Sequence, residues 1–502
     1  MSIPDAPTRA RPRGLWKGRG TPKPNKDFNL DDHRPAKRQR LDNASDASSD
    51  DLGYYIIECT PEPSNHSDDE DEEMDSPDTV VDPENFAMWE QLKGSFATVV
   101  EQYESDNVDE TLSLLRGVLD ECHRFLRLYK DPSVLFATPG SRTPEALPSS
   151  PANKPPRKCK CRESPTAFHA LLGTALFLMG NLVAQDPSIV LPKEPVDATT
   201  YWLAALDVFE MGENLPSRTS GRGCEAPEDW RMALVWGRTL LCVADAALRL
   251  QQQQQSLVHP QSMPPEPKWP SSSTSVFAVI AMRRSPACRR VNLASTPPDE
   301  LLLLAMDHFT RGIFLMPHAN PPAQNLGDRY VHPPPFSRSA ELFTIAHEVL
   351  SIAERLSESS ERMRWATWAD SVLNQVPTQT SVVARARGRC WLVVGTAHVE
   401  ALEALAETQG WNSQDSLEGV LDCEDADDTR EALERAVEFF ERATADETPA
   451  GEDEQDSELL VLYTEALLTL ANFSKDEAKQ EMLYQRAASL GVSLEGMDVD
   501  EA

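Results

Sequence analysis

Apolar residues recur at helical spacing along most of this chain, and that pattern predicts its fold class. The first run has spacings of three and four: Phe86, Trp89, Leu92, Phe96, Val99 and Tyr103. Such spacing places all of these side chains on one face of a helix. A second run of the same kind covers residues 108 to 129 after a short break. We therefore predict a helix hairpin at the start of the folded region.

The same periodicity continues towards the C-terminus. Residues 168–179 are apolar almost all round and predict a buried helix. Further helices are expected at about 198–215 and 227–250, and at least four more between 299 and 490, with breaks at 317–335 and at Pro377. No stretch alternates with the period of two that a strand requires. The predicted fold class is all-α.

Degenerate copies of a tetratricopeptide-like pattern are present near the C-terminus. In that pattern a first helix offers large, medium and small residues, and a second offers small, aromatic and small ones, so that hairpins stack on a shared core. The first-helix spacing is matched by Trp391, Val394, Gly395 and His398, and the second-helix spacing by Ala436, Phe440 and Ala443. An acidic insert at about 411–428 separates them, and the hairpin at 459–490 repeats the pattern loosely, with Tyr484 and Ala487 in the aromatic and small positions. We predict a tetratricopeptide-like array of helical pairs, an α-solenoid; a generic helical bundle remains the alternative.

Composition divides the chain around this helical region. Residues 1–43 are basic and rich in Pro and Gly, and residues 44–83 are acidic, so both are predicted to be disordered. The helical-repeat domain is expected at 84–490, and an acidic tail at 491–502. Pro- and Ser-rich sequence predicts two disordered inserts in that domain, at about 131–163 and 251–298.

The overall charge is strongly acidic. Among 502 residues, Lys and Arg number 48 and Asp and Glu 81, so the net charge of −33 would repel nucleic acid from most of the surface. The nine Cys are scattered, which is typical of a reduced compartment. We find no secretory signal and no run of about eighteen uncharged apolar residues, and we expect no membrane interaction.

A nuclear import signal is predicted in the basic tail. Lys37, Arg38 and Arg40 are closely spaced cations behind a proline, on a chain too polar to fold. Importin grooves bind such extended chains by pairing each cation with acidic and Trp-lined pockets. A second, partly redundant element is formed by Arg11, Arg13, Lys17 and Arg19. The prediction is a nuclear protein that binds importin; a solvated tail that attracts polyanions is the alternative.

No catalytic or metal-binding pattern is convincing. Cys159 and Cys161 could supply half of a zinc site, but no neighbouring pair completes four ligands. His66 and Asp68 imitate part of a non-haem iron triad, yet they lie in the acidic segment and not on a rigid sheet. Nucleotide, hydrolase and metalloprotease motifs are missing from the sequence. We predict a protein that is not an enzyme and uses no metal or cofactor. Residues 54–57 are either a docking motif or a chance apolar cluster.

One stretch resembles a known family. Residues 114–128, with Glu121-Cys122-His123-Arg124 at the centre, are similar to the second helix of the fungal enhancer of translation termination family. His123 stands where that family has Asp, and Phe125 where it has Leu. Three further segments are similar to the family: 11–17 to its opening, Phe168-His169 to the start of a later helix, and 207–216 to the segment after it.

The resemblance implies a nuclear helical-repeat adaptor that takes part in translation termination. A related fission-yeast branch negatively regulates a prolyl-hydroxylase-like 2-oxoglutarate dioxygenase and helps it to enter the nucleus. The implied partners are such a dioxygenase, the termination machinery and importin.

Two other functions compete with this one. RNA or ribosome binding could use the basic tail and the cations Arg283, Arg284, Arg289 and Arg290 of the second insert. Direct nucleic-acid binding is expected to be the weaker hypothesis because the protein is so acidic. A co-chaperone would need a Lys/Arg/Asn clamp for acidic tails on successive first helices, and the sequence offers none.

Overall fold

The computed structural model describes residues 83–136, 163–215, 229–256, 275–284, 296–318, 336–408, 423–445 and 453–497. These residues form thirteen α-helices and two short 3-10 helices, with no strand among them. The α-helices are α1 (Pro83–Glu104), α2 (Val108–Leu128), α3 (Ala167–Gln185), α4 (Ala198–Glu213), α5 (Trp230–Ser256), α6 (Val276–Arg283), α7 (Pro298–Leu315), α8 (Arg338–Ala353), α9 (Ser359–Leu373), α10 (Ser381–Thr408), α11 (Glu424–Ala445), α12 (Asp453–Asn472) and α13 (Glu477–Met497). The all-α prediction is confirmed for this part of the chain.

The helices pack mainly as six pairs: α1–α2, α3–α4, α5–α7, α8–α9, α10–α11 and α12–α13. Neighbouring pairs join through α2–α3, α4–α5, α5–α8, α9–α10 and α11–α12. Helices inside the array therefore bury apolar surface against their own partner and against the neighbouring pair, as in helical-repeat proteins.

The first pair shows how the sequence pattern sets the packing. Five of the six apolar residues predicted for the first helix are at most 2 % exposed: Trp89, Leu92, Phe96, Val99 and Tyr103. The chain reverses at Asp106, whose φ of 61° is left-handed, a conformation that Asp tolerates better than most residues. Thus α1 and α2 form the predicted hairpin.

Glycines allow close approach in the pair that carries the tetratricopeptide-like residues. A Cβ at Gly395 of α10 would lie 2.6 Å from Cδ2 of Leu433 on α11, and one at Gly388 would lie 2.7 Å from the ring of Phe440. The α10 and α11 residues noted in the sequence thus lie on two helices that pack together. The acidic insert between them was predicted too long, because residues 424–428 already belong to α11.

Both Pro-rich inserts contain ordered residues that the sequence prediction missed. In the first, Pro132–Phe136 is a 3-10 helix, and the Phe136 ring lies 5.0 Å from the ring of Trp89. In the second, α5 continues through the Gln run to Ser256, and residues 276–283 form α6. The prediction of an insert without structure is wrong for these residues. A signal was present, since Ser275 caps α6 ahead of an apolar run.

Helix α3 also corrects the sequence analysis. Its nineteen residues are uncharged and have a mean hydropathy of 1.6 in the most apolar window, so the statement that the chain has no such run is wrong. By length and composition alone this helix could cross a membrane, but 89 % of that window is buried inside the protein. Its apolar surface is covered chiefly by α4, with further contacts from α2 and α5.

Candidate functional site

The predicted import residues Lys37, Arg38, Arg40, Arg11, Arg13, Lys17 and Arg19 lie outside the described residues. The same holds for the predicted segments 1–43 and 44–82, for residues 54–57, for His66 and Asp68, for the pair Cys159 and Cys161, and for Arg289 and Arg290. These assignments stay predictions. Within the described helices, the candidate functional site is a polar cavity.

The cavity has a volume of about 350 Å³ and lies where four helices meet. Its walls come from the end of α2, the start of α3, one face of α4 and the end of α6. The lining residues are Leu126, Lys130, His169, Asp207, Glu210, Met211, Asn214, Leu215, Met282, Arg283 and Arg284. Seven of these eleven residues are polar or charged, so the cavity is more polar than a typical small-ligand pocket, which is lined mainly by apolar side chains.

Arg283 caps the C-terminal end of α2. Its Nη1 donates to the carbonyl oxygen of Tyr129 at 2.7 Å, and its Nη2 donates to that of Leu126. The last carbonyls of a helix have no partner within the helix and carry partial negative charge, so a guanidinium is well suited to them. Burial lowers the pKa of Arg283. Through these two hydrogen bonds the Arg283 side chain links the end of α6 to the end of α2.

Arg284, the next residue, faces α4. Its Nη1 lies 3.7 Å from Oδ1 of Asp207, whose side chain is almost fully buried. Two of the four cations that the sequence offered to RNA, Arg283 and Arg284, thus have partners inside the protein, and this corrects their assignment to a free nucleic-acid patch. Glu210 is the second carboxylate on the same wall.

His169 supplies a deeply buried polar group of the cavity. It is 3 % exposed, and its Nδ1 has no hydrogen-bond partner among the described residues. Burial lowers the pKa of His169 to about 4, so the imidazole is neutral at physiological pH. Gly212 makes room for it, because a Cβ there would lie 2.8 Å from the Cβ of His169.

The cavity unites the segments that carry the family resemblance within the helical body. Leu126 belongs to the first of them, residues 114–128; His169 belongs to the second; and the α4 wall belongs to the third, residues 207–216. Sequence reasoning named the segments but could not place them together. It missed Met282 as part of a site because that residue falls in the supposed insert.

Two features of the described residues bear on metal and thiol chemistry. Across the described ranges, no group of three His, Cys, Asp or Glu side chains is placed to hold a metal ion. Cys122, in the core of α2, is fully buried, and its thiol has a raised pKa because of that burial. A thiol of this kind is unreactive.

Comparison with known proteins gives the following. No protein-family model and no curated protein matches the chain. Solved structures that resemble it include two of Nro1 from S. pombe. One, described as a nuclear import adaptor, shares 14 % identity over 84 % of this chain and 96 % of its own, with a TM-score of 0.44. The other, described as a hypoxic regulator of sterol synthesis that is a nuclear import adaptor, shares 14 % over 84 % and 90 %, with a TM-score of 0.45. Because the similarity is this low, it adds nothing to the assignment made from the chain's own residues.

Proposed function

We propose that this protein is a non-enzymatic nuclear adaptor whose helical body binds a partner protein. The partner is a prolyl-hydroxylase-like 2-oxoglutarate dioxygenase or a component of the translation termination machinery, as the resemblance to the enhancer of translation termination family implies. The basic tail carries the protein, and on this proposal its partner, into the nucleus through importin.

The observation that supports this function is the meeting of three family-like segments at one cavity. They are far apart in the sequence, yet residues Leu126, His169 and Asp207 line the same space. The likeness extends thinly over residues 89–490, and residues 114–128 are its most specific part. Its segments on α2, α3 and α4 each contribute a residue to this cavity, which supports the helical body as the place where a partner binds.

Affinity purification of the tagged full-length protein from its own cells tests the adaptor function. We expect a 2-oxoglutarate oxygenase or a termination factor to be recovered both by the whole chain and by a form lacking residues 1–82, because the partner site lies on the helical body. If the partner is recovered only with residues 1–82 present, the body is not the partner surface. If neither form recovers such a protein, the proposed function is wrong.

Import is tested by replacing the three clustered cations of the tail with Ala. The Lys37→Ala, Arg38→Ala, Arg40→Ala variant should move towards the cytoplasm, because an importin groove needs closely spaced cations. Arg11, Arg13, Lys17 and Arg19 form a second, partly redundant element on this proposal, so we expect the full shift only when they are replaced as well.

A matched control replaces three other cations of the tail, Arg9, Lys23 and Lys26, which are not clustered. This variant should stay in the nucleus. The measurement is the nuclear-to-cytoplasmic ratio of a fluorescent fusion. A protein that remains as nuclear after deletion of residues 1–43 would show that the tail is not the signal.

RNA binding through the tail is the second candidate, because the tail is strongly basic. Counterion release predicts that such binding weakens by orders of magnitude between about 50 and 200 mM salt. Binding of a protein to the helical body should lose much less over that range. A salt titration of the recovered complex therefore distinguishes the two functions.

A further inference from the structure

The last pair of helices, α12 and α13, packs on a small core of its own. The main group of buried apolar side chains runs from Trp89 in α1 to Ala432 in α11, and no described residue of α12 or α13 belongs to it. The buried apolar residues of the last pair belong to a second, smaller group that is shared with α10 and α11. The last pair is therefore attached to the rest of the array at one junction.

Small residues make up much of this second group. Of its fifteen described members, six are Ala: Ala384, Ala436, Ala443, Ala466, Ala471 and Ala487. An Ala side chain removes little apolar surface from water, so it contributes less to stability than Leu or Phe does. The largest side chains of the group are Phe440 of α11 and Tyr463 of α12, whose rings lie 6.1 Å apart. The apolar attachment of the last pair is thus modest.

Ion pairs that reach solvent complete the junction. Glu458 of α12 pairs with Arg385 of α10, and its Oε1 lies 3.7 Å from Nη1 of Arg389 on the same helix. The Glu458 side chain is 51 % exposed. An attraction between partly exposed charges is weak, and dissolved salt reduces it further. Arg389 also pairs with Glu354 of α8, so it keeps a partner if α12 moves away.

Two cations of α13 reach α11 in a similar way. Nζ of Lys479 lies 2.6 Å from Oε1 of Glu434, and Nη1 of Arg486 lies 2.6 Å from Oε1 of Glu441. These four side chains are between 40 and 52 % exposed. The junction between α5 and α8 differs, because the side chain of its Arg238 is only 2 % exposed. Salt should therefore loosen the last junction much more than that one.

Within the last pair, α12 and α13 hold each other. Helix α12 packs more extensively on α13 than on α11. The guanidinium of Arg486 lies over the ring of Tyr463, 5.2 Å from its centroid, and the Tyr484 hydroxyl donates to Oδ1 of Asn472 at 2.6 Å. The two helices are therefore expected to leave together. A single helical pair buries too little apolar surface to stay folded alone, so its backbone amides exchange once it has left.

We propose that α12 and α13 form a detachable unit whose docking on α10 and α11 is controlled by salt. Rising ionic strength weakens the exposed ion pairs, and the small apolar core does not hold the unit in place without them. Detachment uncovers the part of α11 on which Tyr463 packs, around Phe440, while the main core stays folded. The inference concerns the chain by itself and does not depend on the partner proposed above.

Hydrogen exchange of the full-length protein, followed by mass spectrometry, tests the proposal. We expect the amides of α12 and α13 to have similar protection factors, lower than those of α5 and α8. Raising sodium chloride from about 50 to about 500 mM should speed exchange in the last pair about tenfold and change α5 and α8 by less than about twofold. Three results would overturn the proposal: protection of the last pair equal to that of α5 and α8, no effect of salt, or α10 and α11 opening together with the last pair.

Matched variants test whether the ion pairs are the cause. Glu458→Lys should speed exchange in α12 and α13 about tenfold at low salt, because a cation then faces Arg385 and Arg389. The control is Glu438→Lys on α11, where Glu438 is 57 % exposed and pairs with Arg442 of the same helix. It should change exchange in the last pair by less than about twofold. Equal effects of the two variants would refute the role of the ion pairs.

A charge swap separates electrostatic docking from general damage to the fold. Glu434→Lys and Lys479→Glu, each alone, should speed exchange in the last pair about threefold, because like charges then face each other across the junction. The double variant should return exchange to within about twofold of the wild type. Both positions are exposed, and unchanged protection of α5 and α8 checks that the variants fold. A double variant that stays as unprotected as the single ones would overturn the proposal.

Discussion

Replacing Arg238 is expected to be among the most damaging single changes to the helical body. This guanidinium is 2 % exposed and joins α5 to α8 through two carboxylates. Its Nη1 lies 2.8 Å from Oε1 of Glu341, and its Nε donates to Oε2 of Glu348 at 2.8 Å. Glu341 is 1 % exposed, whereas Glu348 reaches solvent with 18 % of its side chain. Removal of Arg238 therefore leaves the Glu341 carboxylate buried without its cation.

The expected loss follows from the cost of an unpaired buried charge. Breaking such a pair by removing one partner costs about 3–5 kcal/mol in the free energy of unfolding. Replacing both Arg238 and Glu341 with apolar residues should recover much of that loss, since a buried ion pair and a well-packed apolar pair are often similar in stability. The Arg238→Met variant, compared with Arg238→Met/Glu341→Leu, isolates this effect.

The pH dependence gives an independent check. Burial raises the pKa of Glu341, and Arg238 opposes that rise. A carboxyl group whose pKa is higher in the folded than in the unfolded state makes stability fall as pH rises above its unfolded value, about 4.3. Without Arg238 the folded-state pKa rises further. The deficit of Arg238→Met relative to the wild type should therefore be smaller near pH 5 than near pH 8.

Urea denaturation followed by circular dichroism measures the effect. With a slope of about 3 kcal/mol per molar urea, the loss shifts the midpoint by about 1 M or more. The control is Arg442→Met, because Arg442 pairs with Glu438 on the surface and both are 57 % exposed. It should change stability by less than about 1 kcal/mol. An Arg238→Met midpoint equal to that of the control, or a deficit that grows at acidic pH, would refute the reasoning.

Two further predictions concern helix packing and His169. Gly395→Ala should destabilise the protein by about 1–3 kcal/mol, because its Cβ would lie 2.6 Å from Leu433. Gly117→Ala, whose Cβ would have nothing within 4 Å, should instead stabilise α2 by up to about 1 kcal/mol. Thermal melts that rank the two variants the other way would contradict the packing of α10 on α11. The pKa of His169 is about 4 in the folded state and about 6.5 in the unfolded state, so the stability that the neutral imidazole contributes is lost as pH falls from 6.5 to 4. His169→Phe should therefore make the unfolding midpoint less sensitive to acid. An unchanged pH profile would show that the imidazole is not buried and neutral.

Periodicity alone determined the fold class and most helices. The sequence located α1 and α2 to within a few residues, because apolar residues at alternating spacings of three and four share one face only in an α-helix. Composition was a poorer guide. Residues 276–283 look like part of a Pro-rich insert, yet they form α6 because the groove between α2 and α4 buries Phe277 and Ile280. The burial of these two side chains against α2 and α4 stabilises α6 although the flanking sequence is rich in Pro.

The candidate site was decided by tertiary structure. The sequence singled out His169 and residues 207–216 as family-like, and it treated Arg283 and Arg284 as free cations of an insert. Only the packing of α6 shows that Arg283 closes α2 and that Arg284 faces Asp207. Local pattern fixes which face of a helix is apolar, but not which distant helix covers it. Whether a charged side chain is free or already paired depends on which helix packs against it. That packing is determined by the burial of apolar surface across the whole array.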